Sequence, residues 1–414
     1  MHLLEEVLKE IKPTSQEEKE FKRNVNKVLT KLNANLNNAT AILGGSAVKN
    51  TWLRNTREAD IFVCFDYKKY KDKNDKLSDI LERILKKVYP DVIRLPGSRD
   101  YFQIKQNNFR FEIVPILKIK EAKEALNITD VSPLHARWVL NHMKKNKRIA
   151  DEIRLLKQFC KAAKCYGAES YIRGFSGYVC EILIVYYKNF MNLIKDAVNW
   201  KENEVIDIEG YYKNKDPLKI LNPSKLSPLI VIDPVQKDRN AAAALSKEKF
   251  LLFKERANQF IRDASKEFFI IKKLDINKLK ELGNLVVLDV APLEGKEDII
   301  GCKLVKALNF VAKQLKKNGF NLIEYGWDWD KEKKASFYFI TNQAELPKIR
   351  IRRGPPIKAT YYVKKFKEKH KETFVKHGRI YAKVKRKLTK LEEIVKEIIN
   401  QPYVRDKVKR IKIK

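Results

Sequence analysis

The stretch GGSAVKNTWLRNTREADIFVCF, residues 44–65, joins a glycine pair to two acids that open a β-rich run. Glycine allows a tight turn and a close approach of the backbone to a phosphate, and Ser46 stands where a helix is expected to begin, which favours an anion. Glu58 and Asp60 are two positions apart on an expected strand, so their side chains point to the same face. Two such carboxylates can hold two Mg²⁺ ions about 4 Å apart, the arrangement that serves in-line phosphoryl transfer.

A third acid stands inside a second apolar run, residues 109–115, which read FRFEIVP. An acid in the middle of an apolar strand is costly unless it is paired or bound to a metal. We therefore predict that Glu112 joins Glu58 and Asp60 at a metal site. The alternative is a plain glycine turn followed by solvated acids. Each motif taken singly favours that alternative, but the combined spacing favours the metal site.

The sequence around these motifs alternates between strand and helix patterns. Apolar β-rich runs predict strands at residues 41–43, 61–65 and 109–116. Helical spacing predicts charged helices over residues 3–32, broken at Pro13 and capped by Thr14 or Ser15, a helix carrying Val48, Trp52 and Leu53, and a helix over residues 77–88. This order predicts a sheet covered by helices.

The centre of the chain is predicted to be helical. Apolar residues three and four apart predict helices over residues 137–147, 152–164 and 177–190, and a long helix over residues 239–269 that follows a proline-containing segment. Ser132 is predicted to cap a helix with Pro133 in its first turn, which places His135 near a helix N-terminus. Arg239 then lies at a helix start, where the helix dipole disfavours a cation, and this favours a functional role for it.

The last third of the chain changes character again. Residues 285–290, 303–316, 321–327 and 336–341 predict a strand, a helix and two strands, an order typical of a small ferredoxin-like or RRM-like unit. The aromatic RNP1 pattern is absent from the sequence, so base stacking on that sheet is not predicted. The run Gly354-Pro355-Pro356 predicts a break, and the most basic part of the chain follows it.

The composition indicates a polyanionic partner. The 414 residues include 87 Lys and Arg against 52 Asp and Glu, which is a formal net charge of +35. Such an excess repels itself unless it is neutralised, and nucleic acid is the usual partner because each contact to a phosphate releases a condensed counterion. A lysine-rich solvated surface is the alternative.

Cysteine usage indicates an intracellular protein. The five cysteines include no C-x-x-C pair, so neither a zinc ribbon nor a redox motif is indicated. An odd count without a signal peptide favours a reducing compartment, which we expect to be the cytoplasm. The most apolar stretch, residues 178–194, carries Glu181 and Lys188 and is too interrupted to span a bilayer.

The glycine pair and the acids resemble the signature of the DNA polymerase β nucleotidyltransferase superfamily. More narrowly, GGSxxKNTWLR followed by ExDIF is similar to the archaeal, class I CCA-adding enzymes, which are tRNA nucleotidyltransferases. The resemblance covers most of the chain. It includes the stretches RLLK at 154–157, YGAE at 166–169, RGFSGY at 173–178, DPV at 233–235, DRN at 238–240, RGPP at 353–356 and GRIY at 378–381.

The resemblance implies a function and the residues that serve it. The function is template-independent addition and repair of the 3′-terminal CCA of tRNA from CTP and ATP, with Mg²⁺ at a two-metal site. The protein would hold the acceptor stem and T-arm of the tRNA, and a homodimer is left open. The implied roles are metal binding and catalysis by Glu58, Asp60 and Glu112, nucleotide binding by Ser46, Lys49, His135, Lys157, Tyr166 and Arg239, and RNA binding by Arg353, Arg379 and Tyr381.

Several alternatives stay open at this point. His135 could be a structural histidine, Lys157 a surface lysine and Tyr166 a core tyrosine. The family usually has Asp where this chain has Glu112, and often Arg where it has Lys49, a change that costs bidentate phosphate geometry but not charge. A poly(A)-polymerase-like or oligoadenylate-synthase-like transferase, and a catalytically inactive RNA-binding relative, are the competing functions.

The patterns and the resemblance together predict an α+β multidomain fold. A nucleotidyltransferase palm sheet with helices forms the catalytic domain over residues 1–140. An all-helical, nucleotide-selecting domain follows over residues 141–270. The C-terminal part, residues 271–414, is predicted to be an RRM-like α/β body with a basic tail that binds tRNA.

Overall fold

The computed structural model describes residues 2–414 as two compact units, one ending at Ile271 and one covering Lys272–Lys414. Met1, where the first predicted domain begins, lies outside the described residues. The architecture combines α-helices with several separate β-sheets, in agreement with the predicted α+β class. In the described part of the chain, no helix is both long and apolar enough to cross a membrane.

A five-stranded sheet forms the N-terminal half of the first unit. Its strands are β1 (Ala39–Leu43), β2 (Glu58–Asp66), β3 (Ile93–Leu95), β4 (Tyr101–Gln106) and β5 (Phe109–Lys118). The spatial order is β1-β2-β5-β4-β3, with β2 and β5 parallel and the other neighbours antiparallel. The helices that accompany it are α1 (His2–Ile11), α2 (Ser15–Asn33), α3 (Gly45–Val48), α4 (Tyr67–Tyr70) and α5 (Leu77–Val88).

The N-terminal helices break and cap as the sequence predicts. Pro13 separates α1 from α2, and Thr14 caps α2 through a reciprocal pair of bonds with Glu17: the Glu17 amide donates to Thr14 Oγ1 at 3.2 Å, and the Thr14 amide donates to Glu17 Oε2 at 2.8 Å. The two helices then serve different cores. Helix α2 packs on the five-stranded sheet, whereas Val7 and Ile11 of α1 join the core of the central helices.

The predicted helix through Val48, Trp52 and Leu53 is wrong beyond its first turn. Helix α3 stops at Val48, and Asn50 has a left-handed φ of 48°, which ends the helical path. The extended segment that follows sends Trp52 into the core of the sheet, where it stacks on Phe21 with ring centroids 4.7 Å apart, and Leu53 into the core of the central helices.

The central part of the first unit is not all-helical, contrary to the prediction. Its helices are α6 (Ser132–Lys145), α7 (Ile149–Ala162), α8 (Gly177–Tyr187), α9 (Phe190–Ala197), α10 (Pro217–Ile220) and α11 (Lys247–Arg262). They accompany a three-stranded sheet of order β6-β7-β8, made of β6 (Glu204–Ile206), β7 (Leu229–Asp233) and β8 (Gln236–Asn240). Strand β7 reads LIVID and is buried at every position, as a strand rich in branched residues can be.

The predicted long helix over residues 239–269 is therefore also wrong. Residues 236–240 form strand β8, and the alanine-rich stretch after it is a turn, held by the Asn240 side chain, which accepts from the amides of Val231 and Ala242 at 2.9 Å each. Helix α11 begins only after Ser246, whose hydroxyl accepts from the Lys249 amide at 3.3 Å. An asparagine that bonds to nearby backbone competes with helix formation.

The second unit contains a four-stranded antiparallel sheet accompanied by one long helix and several shorter ones. Its elements are α12 (Ile276–Glu281), β9 (Asn284–Ala291), α13 (Glu297–Asn318), β10 (Leu322–Trp329), β11 (Ala335–Thr341), α15 (Leu391–Ile399), α16 (Pro402–Arg405) and β15 (Arg410–Ile413). The spatial order is β10-β11-β9-β15. The apolar faces of α13 and α15 share a core with this sheet.

A smaller basic sheet is inserted between β11 and α15. It consists of β12 (Ile349–Pro356), β13 (Glu372–Lys376) and β14 (Arg379–Lys385) in the order β12-β14-β13, with helix α14 (Thr360–Lys369). The predicted break at residues 354–356 is the irregular end of β12, where the register shifts between Arg353 and Pro356. The basic C-terminus does not form a tail, because β15 pairs with β9 at the edge of the four-stranded sheet.

Candidate active site

Strands β2 and β5 bring two of the three predicted acids side by side. Their parallel register sets Asp60 opposite Glu112 and Glu58 opposite Arg110. Neighbouring strands lie about 4.8 Å apart, so the Asp60 and Glu112 side chains leave the sheet together on one face. Both are partly exposed. The spacing of the first two acids was readable in the sequence, whereas the register that adds Glu112 depends on strand pairing.

Gly45 makes room for the Asp60 carboxylate. Its φ of +56° lies in the left-handed region, and a Cβ at this position would lie 1.6 Å from Asp60 Oδ2. The neighbouring Gly44 amide donates to the backbone oxygen of Asp60 at 2.8 Å. The glycine pair thus draws the turn before α3 onto the acidic strand. Ser46, the next residue, is partly exposed within that short helix.

Glu58 is turned towards a different partner. Its side chain is 60% exposed and forms an ion pair with the guanidinium of Arg110, its cross-strand neighbour. Across residues 2–414, no group of three or more His, Cys, Asp or Glu side chains is arranged to hold a metal ion. The structure therefore joins Asp60 and Glu112, and Glu58 could join them only by leaving Arg110.

Burial and nearby charges act on Asp60 in opposite directions. Burial raises the pKa of Asp60 and the Glu58 carboxylate adds to this effect, while the ammonium groups of Lys49 and Lys157 oppose it. The two lysines come from separate parts of the chain, the end of α3 and helix α7. The acidic strand therefore faces positive charge supplied both by the segment after α3 and by helix α7.

Glu181 holds both lysines in a buried cluster, which we call the Glu181 cluster: Lys49, Thr51, Lys157 and Glu181. Lys49 Nζ donates to Glu181 Oε2 at 2.5 Å, and Lys157 Nζ donates to Glu181 Oε1 at 3.1 Å. The Thr51 hydroxyl joins them, 3.0 Å from Lys157 Nζ and 3.2 Å from Glu181 Oε1. Two ammonium groups thus share one carboxylate. Because Lys157 is buried, it is not the surface lysine that the sequence left possible.

The pKa shifts in this cluster follow from burial and pairing. Burial lowers the pKa of Lys157, and Glu181 opposes that shift. Burial would raise the pKa of Glu181, but the attraction of Lys49 and Lys157 holds it below its ordinary value. The carboxylate is therefore ionised, as a buried group with two cationic partners should be.

Tyr166 and Lys157 converge on the start of helix α8. A Cβ at Gly177 would lie 2.9 Å from the Tyr166 hydroxyl oxygen and 3.8 Å from Lys157 Nζ. Burial raises the pKa of Tyr166 well above its ordinary value, so its hydroxyl stays protonated. The ring also packs against the central core, so both the core tyrosine and the binding tyrosine remain compatible with its position.

Arg154 anchors the segment that carries the cluster. Its buried guanidinium donates to the backbone oxygens of Asn50 at 2.6 Å and Trp52 at 3.0 Å, and to Asp151 Oδ1 at 2.6 Å. These bonds tie both neighbours of Thr51 to helix α7. The Arg154 side chain therefore ties the segment after Lys49 to helix α7, which carries Lys157.

A second buried carboxylate, Asp233, gathers His135, Tyr178 and Arg239, and we call these four residues the Asp233 cluster. Asp233 Oδ1 accepts from the Tyr178 hydroxyl at 3.2 Å, and Oδ2 accepts from the Arg239 guanidinium. His135 Nε2 lies 2.9 Å from Oδ2, at ion-pair distance but without the alignment of a hydrogen bond. The predicted nucleotide contacts His135 and Arg239 therefore meet on one acid.

Two details of the predicted surroundings are wrong. Arg239 lies on strand β8 and not at a helix start, so the helix-dipole reason for a functional role does not apply. Helix α6 includes Ser132 and is preceded by Val131, with no side-chain cap. His135 nevertheless lies near the N-terminus of α6, as predicted, with Pro133 in the first turn.

The three predicted RNA-binding residues lie together on the small sheet of the second unit. Arg353 on β12 pairs with Tyr381 on β14, and Tyr381 stacks on Phe374 with ring centroids 5.6 Å apart. The Arg379 guanidinium donates to the Gly354 oxygen at 3.2 Å. Three arginines of β12 are exposed: Arg350, Arg352 and Arg353.

Sequence reasoning missed the two acids that organise these clusters. Glu181 was used only to argue against a membrane span, although a carboxylate among the buried residues of α8 requires a partner. Asp233 ends a strand that is buried throughout, which is the same signal. The partners themselves, including Thr51, could not be read from the sequence, because Thr51 and Glu181 lie far apart along the chain.

Three family descriptions match separate parts of the chain. Residues 2–147 match the Second Messenger Oligonucleotide or Dinucleotide Synthetase domain, residues 151–270 match "tRNA nucleotidyltransferase, second domain", and residues 287–408 match "CCA-adding enzyme, C-terminal domain". The last two descriptions together cover the Glu181 and Asp233 residues and the small basic sheet.

Known relatives are similar over most of their length. The CCA-adding enzyme of Nanoarchaeum equitans is 40% identical over 82% of this chain and 82% of its own. The CCA-adding enzyme of Methanocaldococcus jannaschii is 32% identical over 96% of this chain and 90% of its own. That of Methanococcus maripaludis is 30% identical over 96% and 91%.

Solved structures share the fold at low identity. A structure of Cid1, described through its RNA terminal uridylyl transferase activity, has a TM-score of 0.52 and 12% identity, and it covers 66% of this chain and 98% of that chain. A second structure, of the Cid1 poly(U) polymerase with magnesium and 3′-dATP, has a TM-score of 0.51 at 12% identity over 65% and 98%. Likeness at this level concerns the architecture alone.

Proposed function

This chain belongs to the CCA-adding enzyme family, and from that membership we propose that it adds and repairs the 3′-terminal CCA of tRNA, using CTP and ATP, without a nucleic-acid template and with release of pyrophosphate. The observation that carries the proposal is the placement of Asp60 beside Glu112, opposite the paired lysines of the Glu181 cluster. Acids on one side and ammonium groups on the other suit a metal-bound triphosphate.

Divalent metal ions fit the acids of the β2–β5 face. Asp60 and Glu112 are cross-strand neighbours, and the missing side chain of Gly45 leaves room beside the Asp60 carboxylate. Glu58 would complete the set of oxygen ligands if its carboxylate left the ion pair with Arg110 and bound the metal instead. Mg²⁺ held there would neutralise charge on the triphosphate and activate the terminal hydroxyl of the tRNA. Glu112 replaces the usual Asp of the family, and its longer side chain still reaches the same face.

The residues around the acids would hold and select the nucleotide. We assign Ser46, Lys49, Lys157 and Tyr166 to the triphosphate and sugar. Ser46 follows the glycine pair beside Asp60, and both lysines act on the Asp60 carboxylate. Lys157 and Tyr166 converge at Gly177. We assign His135 and Arg239 to the base, where Arg239, together with the RNA, would accept C and A and reject U and G. Polar groups left unpaired by the wrong base provide that rejection. Positioning and charge neutralisation carry the chemistry, so no covalent enzyme intermediate is needed.

The second unit would bind the tRNA. Its strand order, with β9, α13, β10, β11, α15 and β15 in sequence, supports an RRM-like body. Arg353, Arg379 and Tyr381 would contact the acceptor stem and T-arm through phosphates and A-form shape. We keep the domain limits at residues 1–140, 141–270 and 271–414 as proposals. A tRNA substrate also agrees with a cytoplasmic location, and a homodimer is left open.

In the direct test, the purified protein is incubated with Mg²⁺ and tRNA that lacks its CCA end. Each labelled nucleotide is added singly and then together with the others. We expect two C residues and then one A to be added, after which addition stops. Open-ended A addition would instead support a poly(A)-polymerase-like transferase. Tight tRNA binding without any incorporation would support an inactive RNA-binding relative.

Replacing Asp60 by Asn should abolish incorporation while leaving tRNA affinity unchanged, because the carboxylate charge is lost from the β2–β5 face and not from the second unit. Nucleotide addition and tRNA filter binding measure the two properties separately. Arg110→Gln is a matched control, since it changes the partner of Glu58 without removing an acid. Full activity in Asp60→Asn would refute the metal assignment.

A further inference from the structure

We propose that Asp233 is a positioning residue for nucleotide selection, which fixes the direction of the Arg239 guanidinium towards the base. The inference rests on the proposed function, because it concerns how that reaction chooses C and A. Nothing in the motif DPV at 233–235 assigns such a role, since the sequence shows only an acid before a proline.

Asp233 cannot be a solvated acid. It is 0% exposed and ends strand β7, whose five residues are all buried. A buried carboxylate without partners is strongly unfavourable, so the contacts that surround it define its role. Both of its oxygens are occupied by groups from other elements.

The carboxylate is held from several directions. On one side, Oδ1 accepts from the Tyr178 hydroxyl of α8 at 3.2 Å and from the Val235 amide at 3.0 Å. On the other side, Oδ2 faces His135 Nε2 of α6 at 2.9 Å and accepts from Arg239. Three contacts besides Arg239 therefore fix the plane of the carboxylate, and the fourth transfers that orientation to the guanidinium.

Arg239 has freedom that this contact removes. The next residue, Asn240, is buried and bonded through its side chain to Ser227 Oγ at 3.0 Å and to the Val231 amide at 2.9 Å, so the backbone of β8 is held. The Arg239 side chain is 34% exposed, so it is accessible from solvent although its partner Asp233 is fully buried. Only the side-chain torsions remain to be set, and Asp233 sets them.

Direction matters for a guanidinium more than for an ammonium. Its donors lie in one rigid plane, so rotation changes which acceptors of a base edge it can meet. A site that reads hydrogen-bond patterns rejects the wrong base by leaving groups unpaired, and it loses that ability when its donors turn. Loss of Asp233 should therefore damage the choice of nucleotide more than the chemical step.

The test compares nucleotide choice in Asp233→Asn with that in a matched control. Asp130→Asn changes another fully buried acid that also pairs with an arginine, Arg99, but lies outside the Asp233 cluster. The measured quantity is the ratio of kcat/KM for C over U at the first added position, with kcat and KM determined separately. We expect this ratio to fall at least about tenfold in Asp233→Asn and to change by less than about twofold in Asp130→Asn.

A double-mutant cycle shows whether Asp233 acts through Arg239. The C-over-U ratio of the Asp233→Asn, Arg239→Ala double variant should equal that of Arg239→Ala alone. Tyr178→Phe removes a single bond to Asp233 and gives a milder version of the test if Asp233→Asn does not fold. It should lower the ratio by a smaller factor in the same direction.

The outcomes separate the two proposals. A wild-type protein that adds CCA, together with an unchanged C-over-U ratio in Asp233→Asn or Tyr178→Phe, would overturn the role of Asp233 alone. An equal loss of ratio in Asp130→Asn would overturn it too, because the effect would then be one of general destabilisation. A wild-type protein that adds no C to tRNA would refute the proposed function itself, and this inference with it.

Discussion

Glu181 and Asp233 are buried carboxylates of the same unit that hold cations in different ways. Glu181 is enclosed, with a side chain 1% exposed, and so are its two ammonium partners, Lys49 at 9% and Lys157 at 4%. Asp233 is equally enclosed at 0%, but its partner Arg239 is 34% exposed. Glu181 therefore pairs with two ammonium groups that are buried with it. Asp233 instead orients an arginine side chain that is partly exposed.

The difference matches two kinds of ligand chemistry. An ammonium group is a compact point charge that suits the diffuse negative charge of a triphosphate, while a guanidinium offers donors in fixed directions that suit the edge of a base. Helix α8 links the clusters, because it carries both Tyr178 and Glu181, three residues apart and therefore on one face. Helix α8 thus contributes to both clusters: Glu181 pairs with the two lysines, and Tyr178 helps to orient Asp233 and through it Arg239.

Glu181→Gln should give the largest effect, because it leaves two buried ammonium groups without their counter-charge. We expect a loss of about 3–5 kcal/mol in the free energy of unfolding, measured by urea titration. KM should rise equally for CTP and ATP, with the C-over-U ratio unchanged, which is the reverse of the pattern expected for Asp233→Asn.

Glu152→Gln is the matched control for this variant. Glu152 lies on the same helix as Lys157 but accepts from the Phe190 amide at 2.8 Å, a neutral partner. It should lose much less stability and keep its nucleotide KM. A changed C-over-U ratio in Glu181→Gln would contradict the division between charge and direction.

Thr51→Val should give a smaller loss of the same kind. The hydroxyl lies within hydrogen-bond distance of both Lys157 and Glu181, so its removal leaves each with one partner fewer, at a cost of about 1–3 kcal/mol. Thermal unfolding and nucleotide KM measure the two consequences. Thr56→Val is the control, since Thr56 Oγ1 donates at 2.6 Å to the Leu53 oxygen of the same segment, away from the cluster. Equal losses in the two variants would show that the segment, not the cluster, is affected.

Acid should weaken the Glu181 cluster through the carboxylate. Burial opposes ionisation, but Lys49 and Lys157 hold the pKa of Glu181 below its ordinary value. Such a group contributes its full stability above the ordinary pKa of about 4.3 and loses it as the pH falls through the lower, folded-state pKa. The free energy of unfolding of the wild type should therefore fall more steeply below about pH 4 than that of Glu181→Gln, by up to about 1.4 kcal/mol per pH unit. Equal slopes in urea titrations would argue against an ionised Glu181.

Lys49→Arg should have the smallest effect and sharpens the same comparison. The substitution keeps the positive charge but replaces the ammonium group by a planar guanidinium, which can bind a phosphate through two hydrogen bonds. We therefore expect the KM for both nucleotides to fall by less than about tenfold. Steady-state kinetics with CTP and ATP measure it. A rise in KM would indicate that the buried space beside Glu181 accepts only an ammonium group.

Local patterns predicted the elements that carry the first two acids. The apolar run after Glu58 and Asp60 became β2, and the helix predicted over residues 77–88 is α5, Leu77–Val88. In the second unit, the predicted strand, helix, strand and strand are β9, α13, β10 and β11. In each case the periodicity of side chains along one segment suffices, since a strand or helix repeats over a few residues.

Patterns failed where a residue bonds to backbone or packs in two directions. The Asn240 side chain stabilises a turn at a place where the apolar spacing predicted a helix. Trp52 and Leu53 pack into two different cores, although they are neighbours in the sequence. The Asn240 side chain accepts from Val231 of the neighbouring strand and from Ala242, bonds that helical spacing does not reveal. The choice of core for Trp52 and Leu53 depends on residues distant in sequence. The assignment of Arg239 to a helix failed for the same reason.

The sequence by itself determined that Glu58 and Asp60 share a face and that a glycine pair precedes them, because these features follow from backbone geometry over a few residues. Only the tertiary structure decided that Glu112 lies opposite Asp60 and that Glu181 and Asp233 organise the lysines and Arg239. Strand register and the partners of buried charges are set by packing across the whole unit. An acid within an apolar stretch of sequence indicates that a partner is required, but only the fold determines which residue that partner is.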